Sequence, residues 1–129
     1  MISLWKSLVL VGTLAVSIPA FAANGDVNAD SFYQDAKSLM AKGMGAMFDK
    51  RTKPLMAHMK AAGLAARAEN DAAASRGKPL YCVPETVKKK GMGPKDVVEK
   101  LGRVPQDQRR SMTLSQAWRM ILIRDYPCR

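Results

Sequence analysis

The chain is poor in the residues that most often carry chemistry. It has one histidine, His58, two cysteines, Cys82 and Cys128, and aromatic residues make up 6% of its 129 positions. One histidine and two thiols 46 positions apart do not make a four-ligand zinc set. If the thiols pair with each other, no Cys-His couple is left for nucleophilic catalysis. No glycine-rich phosphate loop follows a strand pattern. No apolar run beyond the first 22 residues is long enough to cross a bilayer, which takes about 20 residues. Thr113 and Ser115 are better read as helix-start residues than as nucleophiles. These absences predict a protein with no catalytic set, no metal site and no cofactor.

The first 22 residues read as an export signal. Lys6 supplies a basic start, Leu8 to Ile18 is largely apolar, Pro19 breaks the run, and Ala20-Phe21-Ala22 has the small-x-small pattern of a cleavage site. Cleavage after Ala22 leaves one small domain, residues 23–129, with a modest core. Export implies the periplasm, an oxidising compartment in which Cys82 and Cys128 are expected to pair. In the chain-entropy picture a loop of that length is stabilised by about 4 kcal/mol, a large share of the roughly 5 kcal/mol at the low end for a small domain.

The hydrophobic pattern predicts an all-α fold, a small bundle of about four helices closed by one disulfide. Asp30 or Ser31 would cap a helix from near Phe32, with Ala36, Leu39 and Met40 on its apolar face and Gly43 as its stop. Gly43-Met44-Gly45 reads as a hinge. A second helix starts at Thr52 with Pro54 just inside it, carries Leu55, Met59, Ala62, Ala66 and Ala73 on one stripe, and ends at Gly77. Leu80 to Pro84 reads as extended, and Lys88 to Gly93 as a basic, flexible loop. Pro94 opens a third helix with Val97, Val98 and Leu101 inward, closed by Gly102 and Pro105. Gln106 to Ser111 reads as a polar connector. Thr113-Leu114-Ser115-Gln116 is a capping box before the last helix. There Leu114, Ala117, Trp118, Ile121 and Leu122 share an arc, with Met120 and Ile123 outside it. Apolar on more than one side, this helix is expected to be central, the alternative being cover by a partner.

Basic residues outnumber acidic ones, 21 to 11. Loss of Lys6 with the leader leaves twenty against eleven, or +9. The basic runs Lys50-Arg51, Lys88 to Lys90 and Arg109-Arg110 lie far apart and lack the interleaved aromatics of a nucleic-acid surface, so no nucleic-acid partner is expected. An acidic protein or an anionic envelope surface suits the charge better. Met40, Met44 and Met47 at i, i+4, i+7, and Met56 and Met59 around His58, are the residues a soft metal such as Cu(I) would use. Methionine as filler of an irregular alanine-rich core is the preferred reading.

The C-terminal half resembles a known family. Tyr81-Cys82-x-Pro84, the Val97-Val98-x-x-Leu101 helix, Pro105, a helix with Ala117 and Leu122, and Tyr126-Pro127-Cys128 look like the Rap/Tai immunity proteins of type VI secretion systems. The resemblance spans Tyr81 to Cys128. It implies a small disulfide-bonded helical protein of the periplasm that binds and blocks a peptidoglycan amidase effector. If that role carries over, the connector with Gln106, Arg109, Arg110 and Met112 is the expected contact, by position. A homodimer is left open. The competing readings are a holdase-like envelope stress protein using its methionines for adaptable contacts and a methionine-rich copper binder.

Overall fold

Helix α6, Leu114–Asp125, is the element around which the others pack. Its start is fixed reciprocally: the Gln116 N–H donates to Thr113 Oγ1 at 3.2 Å and the Thr113 N–H to Gln116 Oε1 at 2.9 Å. It stops at Tyr126, which precedes Pro127 and turns away from helical geometry. Leu114, Ala117, Trp118, Ile121 and Leu122 are buried, Met120 is half-buried, and Ile123 remains exposed. α6 contacts three other helices, so the central placement expected from its wide apolar arc is realised inside the fold.

The computed structural model describes residues 26–129. The export signal assigned to residues 1–22 lies outside them. The remaining elements are α1 (Ala29–Ala41), a 3-10 helix (Gly43–Phe48), α2 (Thr52–Ser75), α3 (Glu85–Lys90), α4 (Pro94–Gly102) and α5 (Gln106–Arg110). The protein is all-α; among the described residues the one extended pairing is a single antiparallel bridge between Asn28 and Thr113. The four helices read from periodicity are α1, α2, α4 and α6. The basic stretch Lys88–Lys90 is not a loop but the end of α3, and the connector Gln106–Ser111 is mostly helix α5. Both lack an apolar stripe and are too short for periodicity to register.

α1 begins earlier than Phe32, because Asn28 rather than Asp30 or Ser31 is its cap. Asn28 Oδ1 accepts from the N–H groups of Asp30 and Ser31 at 3.0 and 3.1 Å. Its Nδ2 donates to the Arg110 carbonyl at 2.9 Å. Backbone bonds from Ala29 N–H to Met112 O and from Leu114 N–H to Val27 O complete a stitch between the starts of α1 and α6. α2 buries Ala62 and Ala66 in the core shared with α6, small residues that let the two helices approach closely, and Ala73 is buried further along α2. It ends where expected, with Gly77 at φ +84, a left-handed position that glycine takes without strain.

Segment Leu80–Pro84 is neither helix nor strand, bends at Leu80, is extended at Pro84 and is held from both sides. Asn70 of α2 acts as a one-residue strand: its Oδ1 accepts from Leu80 and Tyr81 N–H at 2.8 and 3.1 Å, and its Nδ2 donates to Tyr81 O at 3.0 Å. On the other side the Cys82 N–H donates to Tyr126 O at 2.8 Å. This brings Cys82 and Cys128 together as a disulfide, Cα atoms 5.0 Å apart, on the exposed surface. Lys100 Nζ donates to Asp125 Oδ2 at 2.8 Å and lies over the Tyr126 ring, tying α4 to the same end of α6.

Three substitutions separate these contributions. Cys82→Ser should lower the unfolding free energy by about 2–5 kcal/mol, read from denaturant melts of the oxidised variant and wild type. Trp118→Ala should cost about 3–5 kcal/mol by leaving a cavity in the central helix, whereas Thr113→Ala should cost about 1 kcal/mol by loss of its cap.

Candidate functional site

The connector expected to meet a partner divides in the structure. Gln106 and Arg110 are exposed and Met112 is half-buried. Arg109 is 6% exposed and belongs to the interior, a correction to its reading as a contact residue. Its Nε donates to Asp30 Oδ1 at 2.9 Å, its Nη1 to the carbonyls of Leu101 and Val104, and its guanidinium lies 4.1 Å from the centre of the Tyr33 ring. A buried guanidinium needs all of these partners, since an unmatched charge in the interior is strongly destabilising. The sequence hid this because Arg109-Arg110 looks like any solvated basic pair. At about 100° per residue, Arg109 turns inward while Arg110 faces water.

Burial pushes the Asp30 carboxyl up, but hydrogen bonds from Arg109 and Gln106 and the Arg109 charge outweigh it and hold the group below its ordinary 3.8. Asp125 behaves alike: burial is outweighed by Lys100 and Arg124.

The main concavity lies elsewhere, between α1, the 3-10 helix, α2 and the start of α4. It encloses about 470 Å³, within the size range of ligand-binding pockets, about 300–1,000 Å³. α1 contributes Phe32, Ala36, Leu39 and Met40; α2 contributes Leu55, Met56, Met59 and Lys60; Met92, Pro94, Val97 and Val98 close the far side. Thr52 and Lys60 supply the polar side chains of this lining. The helical repeat places Phe32 and Leu39 about 100° or more around α1 from Tyr33, while Ala36 and Met40 lie within about 60° of it, so the groove and the Arg109 cluster adjoin along that helix.

The groove lip is the 3-10 helix, pinned from its polar side. Asp49 accepts from Lys42 Nζ at 2.6 Å, from the Arg51 N–H at 2.9 Å and from its guanidinium at 3.0 and 3.1 Å. Arg51 also reaches Asp35, and the Thr52 hydroxyl donates to the Ala46 carbonyl. These donors, Arg51 first, hold the Asp49 carboxyl far below its ordinary range, and the Asp49 carboxylate in turn pushes the Arg51 guanidinium up. Gly43 turns the chain at φ +56. With its backbone held this way, the segment leaves Met44, Met47 and Phe48 exposed.

Core filling therefore describes part of the methionine set. Met59 and Met92 are half-buried, whereas Met40 and Met56 stand exposed at the groove rim. His58 does not share the groove with Met56 and Met59; it lines a neighbouring depression of mixed character with Phe32, Asp35, Lys50, Arg51 and Leu55. A combined methionine–histidine copper set is thus split between two surfaces. Among the described residues no three His, Cys, Asp or Glu side chains cluster as metal ligands. The groove was detectable in principle: residues Leu39–Phe48 hold more large apolar side chains than one face of a short helix can bury.

No family model, curated protein or solved structure matches this chain in comparisons with known proteins.

The two arginines should separate in stability measurements. Arg109→Ala should lower the melting temperature by about 10 °C or more, while Arg110→Ala should change stability by no more than about 0.5 kcal/mol. In acid, Asp30 and Asp125 lose their contribution. Both carboxyls are held below their unfolded value, so the stabilisation is whole above about pH 4 and is lost as pH falls through the folded values. Melting temperatures across an acid series should fall below that pH for wild type, and less steeply for Asp125→Asn.

Proposed function

We propose that this chain is a non-catalytic binding protein of the cell envelope that inhibits a peptidoglycan amidase by occupying it. The observation that carries the binding reading is the methionine-lined groove, a concavity whose lining suits apolar contact rather than proton transfer. The amidase as partner comes from the resemblance of Tyr81–Cys128 to Rap/Tai immunity proteins, and the periplasm from the leader pattern of residues 1–22. The disulfide supports the reading physically: a closed, rigid scaffold loses less entropy on association. The positive charge of the chain speeds encounter with an acidic partner, an advantage that falls as salt rises.

A second reading has its own support. Flexible thioethers lining an open groove adapt to many apolar sequences, the property of a holdase-like protein. The two readings differ in specificity. An inhibitor protects against one amidase; a holdase suppresses aggregation of unrelated unfolded proteins.

The test is co-expression in the periplasm with amidases encoded beside this gene, scoring lysis and complex formation. The expected result is protection and a stable complex, weakened by Met56→Glu, which places a charge on the exposed groove rim. Arg110→Glu reports separately on the exposed part of the connector. Protection by neither form, together with suppression of aggregation of an unrelated client, would favour the holdase reading.

A further inference from the structure

We propose that the 3-10 helix Gly43–Phe48 is a membrane-docking tip that inserts Met44, Met47 and Phe48 into the surface of an anionic lipid bilayer. The inference goes beyond the inhibitor reading and does not rest on it. Of the seven large apolar side chains left exposed among the described residues, Met40, Met44, Met47, Phe48 and Met56 fall within this tip and its two flanks. Apolar exposure is therefore concentrated at one place rather than scattered. Met44, Met47 and Phe48 are 82%, 75% and 90% exposed, so they project from the surface and have no walls around them. A projecting apolar knob does not fit the same partner as a groove. It fits a soft, deformable apolar phase.

The charge around the tip selects the kind of bilayer. Lys42, Lys50, Arg51 and Lys53 flank it in sequence against Asp49 and against Asp35, which Arg51 also reaches, a local balance of +2. Asp49 already engages Lys42 and Arg51. Lys50 and Lys53 are exposed and form no ion pair among the described residues, leaving their ammonium groups available to lipid phosphates. An apolar insert flanked in sequence by exposed lysines combines the two weak signals that together hold a protein reversibly on anionic lipid. The polar staple of Asp49, Arg51 and Thr52 fixes the backbone behind the knob, so insertion requires no refolding.

The experiment is co-sedimentation of the oxidised protein as recovered from cells, its N-terminus read by intact mass. The vesicles are phosphatidylcholine alone, or phosphatidylcholine and phosphatidylglycerol mixed two to one. Binding to the anionic vesicles should be at least about tenfold tighter and should weaken as salt rises. Phe48→Ser with Met47→Ser should reduce it about tenfold, and so should Lys50→Glu with Lys53→Glu. All four side chains are exposed, so the variants should melt like wild type. Lys88→Glu with Lys89→Glu, in the other basic run, should leave binding nearly unchanged. As an independent readout, Phe48→Trp should give a blue-shifted fluorescence component on adding anionic vesicles. Absence of binding to anionic vesicles at low salt overturns the proposal. So does undiminished binding by the serine variant, or equal loss from the Lys88 and Lys89 reversal, either of which reduces the effect to general charge attraction. A lipid-free dimer that the serine variant dissolves assigns the tip to a second copy of the chain and overturns it as well.

Discussion

The buried guanidinium of Arg109 is the constraint on which the rest of the structure depends. It joins three elements at one point: Asp30 at the start of α1, the carbonyls of Leu101 and Val104 at the end of α4, and α5, which carries it. Desolvating a charge is costly, and only an arrangement that meets several of its N–H groups at once compensates. That requirement fixes α1 against α4. Both helices also line the methionine-bearing groove, so the polar cluster bears on the shape of the apolar surface beside it. The stack of Arg109 on Tyr33 depends in turn on Gly102, because a Cβ there would stand 3.1 Å from the Tyr33 hydroxyl.

α2 and α6 are held at the other end by different means. Their interface is shallow and alanine-rich, and the chain between them returns through a segment that is neither helix nor strand, with few backbone partners of its own. Asn70 satisfies that segment from α2, and the disulfide with the Cys82–Tyr126 hydrogen bond closes it onto α6. A bundle of this size cannot bury enough apolar area for comfortable stability, so a covalent closure and a fully matched internal charge complement a small core.

Much of the fold was legible in the sequence, and what was missed has physical causes. α2, α4 and α6 announced themselves through periodicity and termini: Thr52, Pro94 and the Thr113–Gln116 box at the starts, Gly77 and Gly102 at the ends. The disulfide followed from two cysteines in a chain with an export pattern. α3 and α5 were missed because each is about a turn and a half of polar sequence. The cap of α1 was misplaced because Asn28, Asp30 and Ser31 are all good caps, and the choice is made by a tertiary bond from Asn28 to the Arg110 carbonyl. The site was the least legible part. Periodicity shows which residues can face a core, not whether the core has room for them, and Met40 falls on the apolar face of α1 yet remains outside.

The frame thus presents one apolar end, with a groove and an exposed tip beside it. Methionine supplies part of both, and its ε-methyl group is an NMR probe at each position. The most direct test of the account is the methyl spectrum of the oxidised protein titrated with the proposed amidase partner. The account predicts shifts at Met40, Met56, Met59 and Met92, with Met112 and Met120, half-buried away from the groove, unchanged. Shifts confined to Met112 and Met120 would contradict it and would return the contact to the α5–α6 connector.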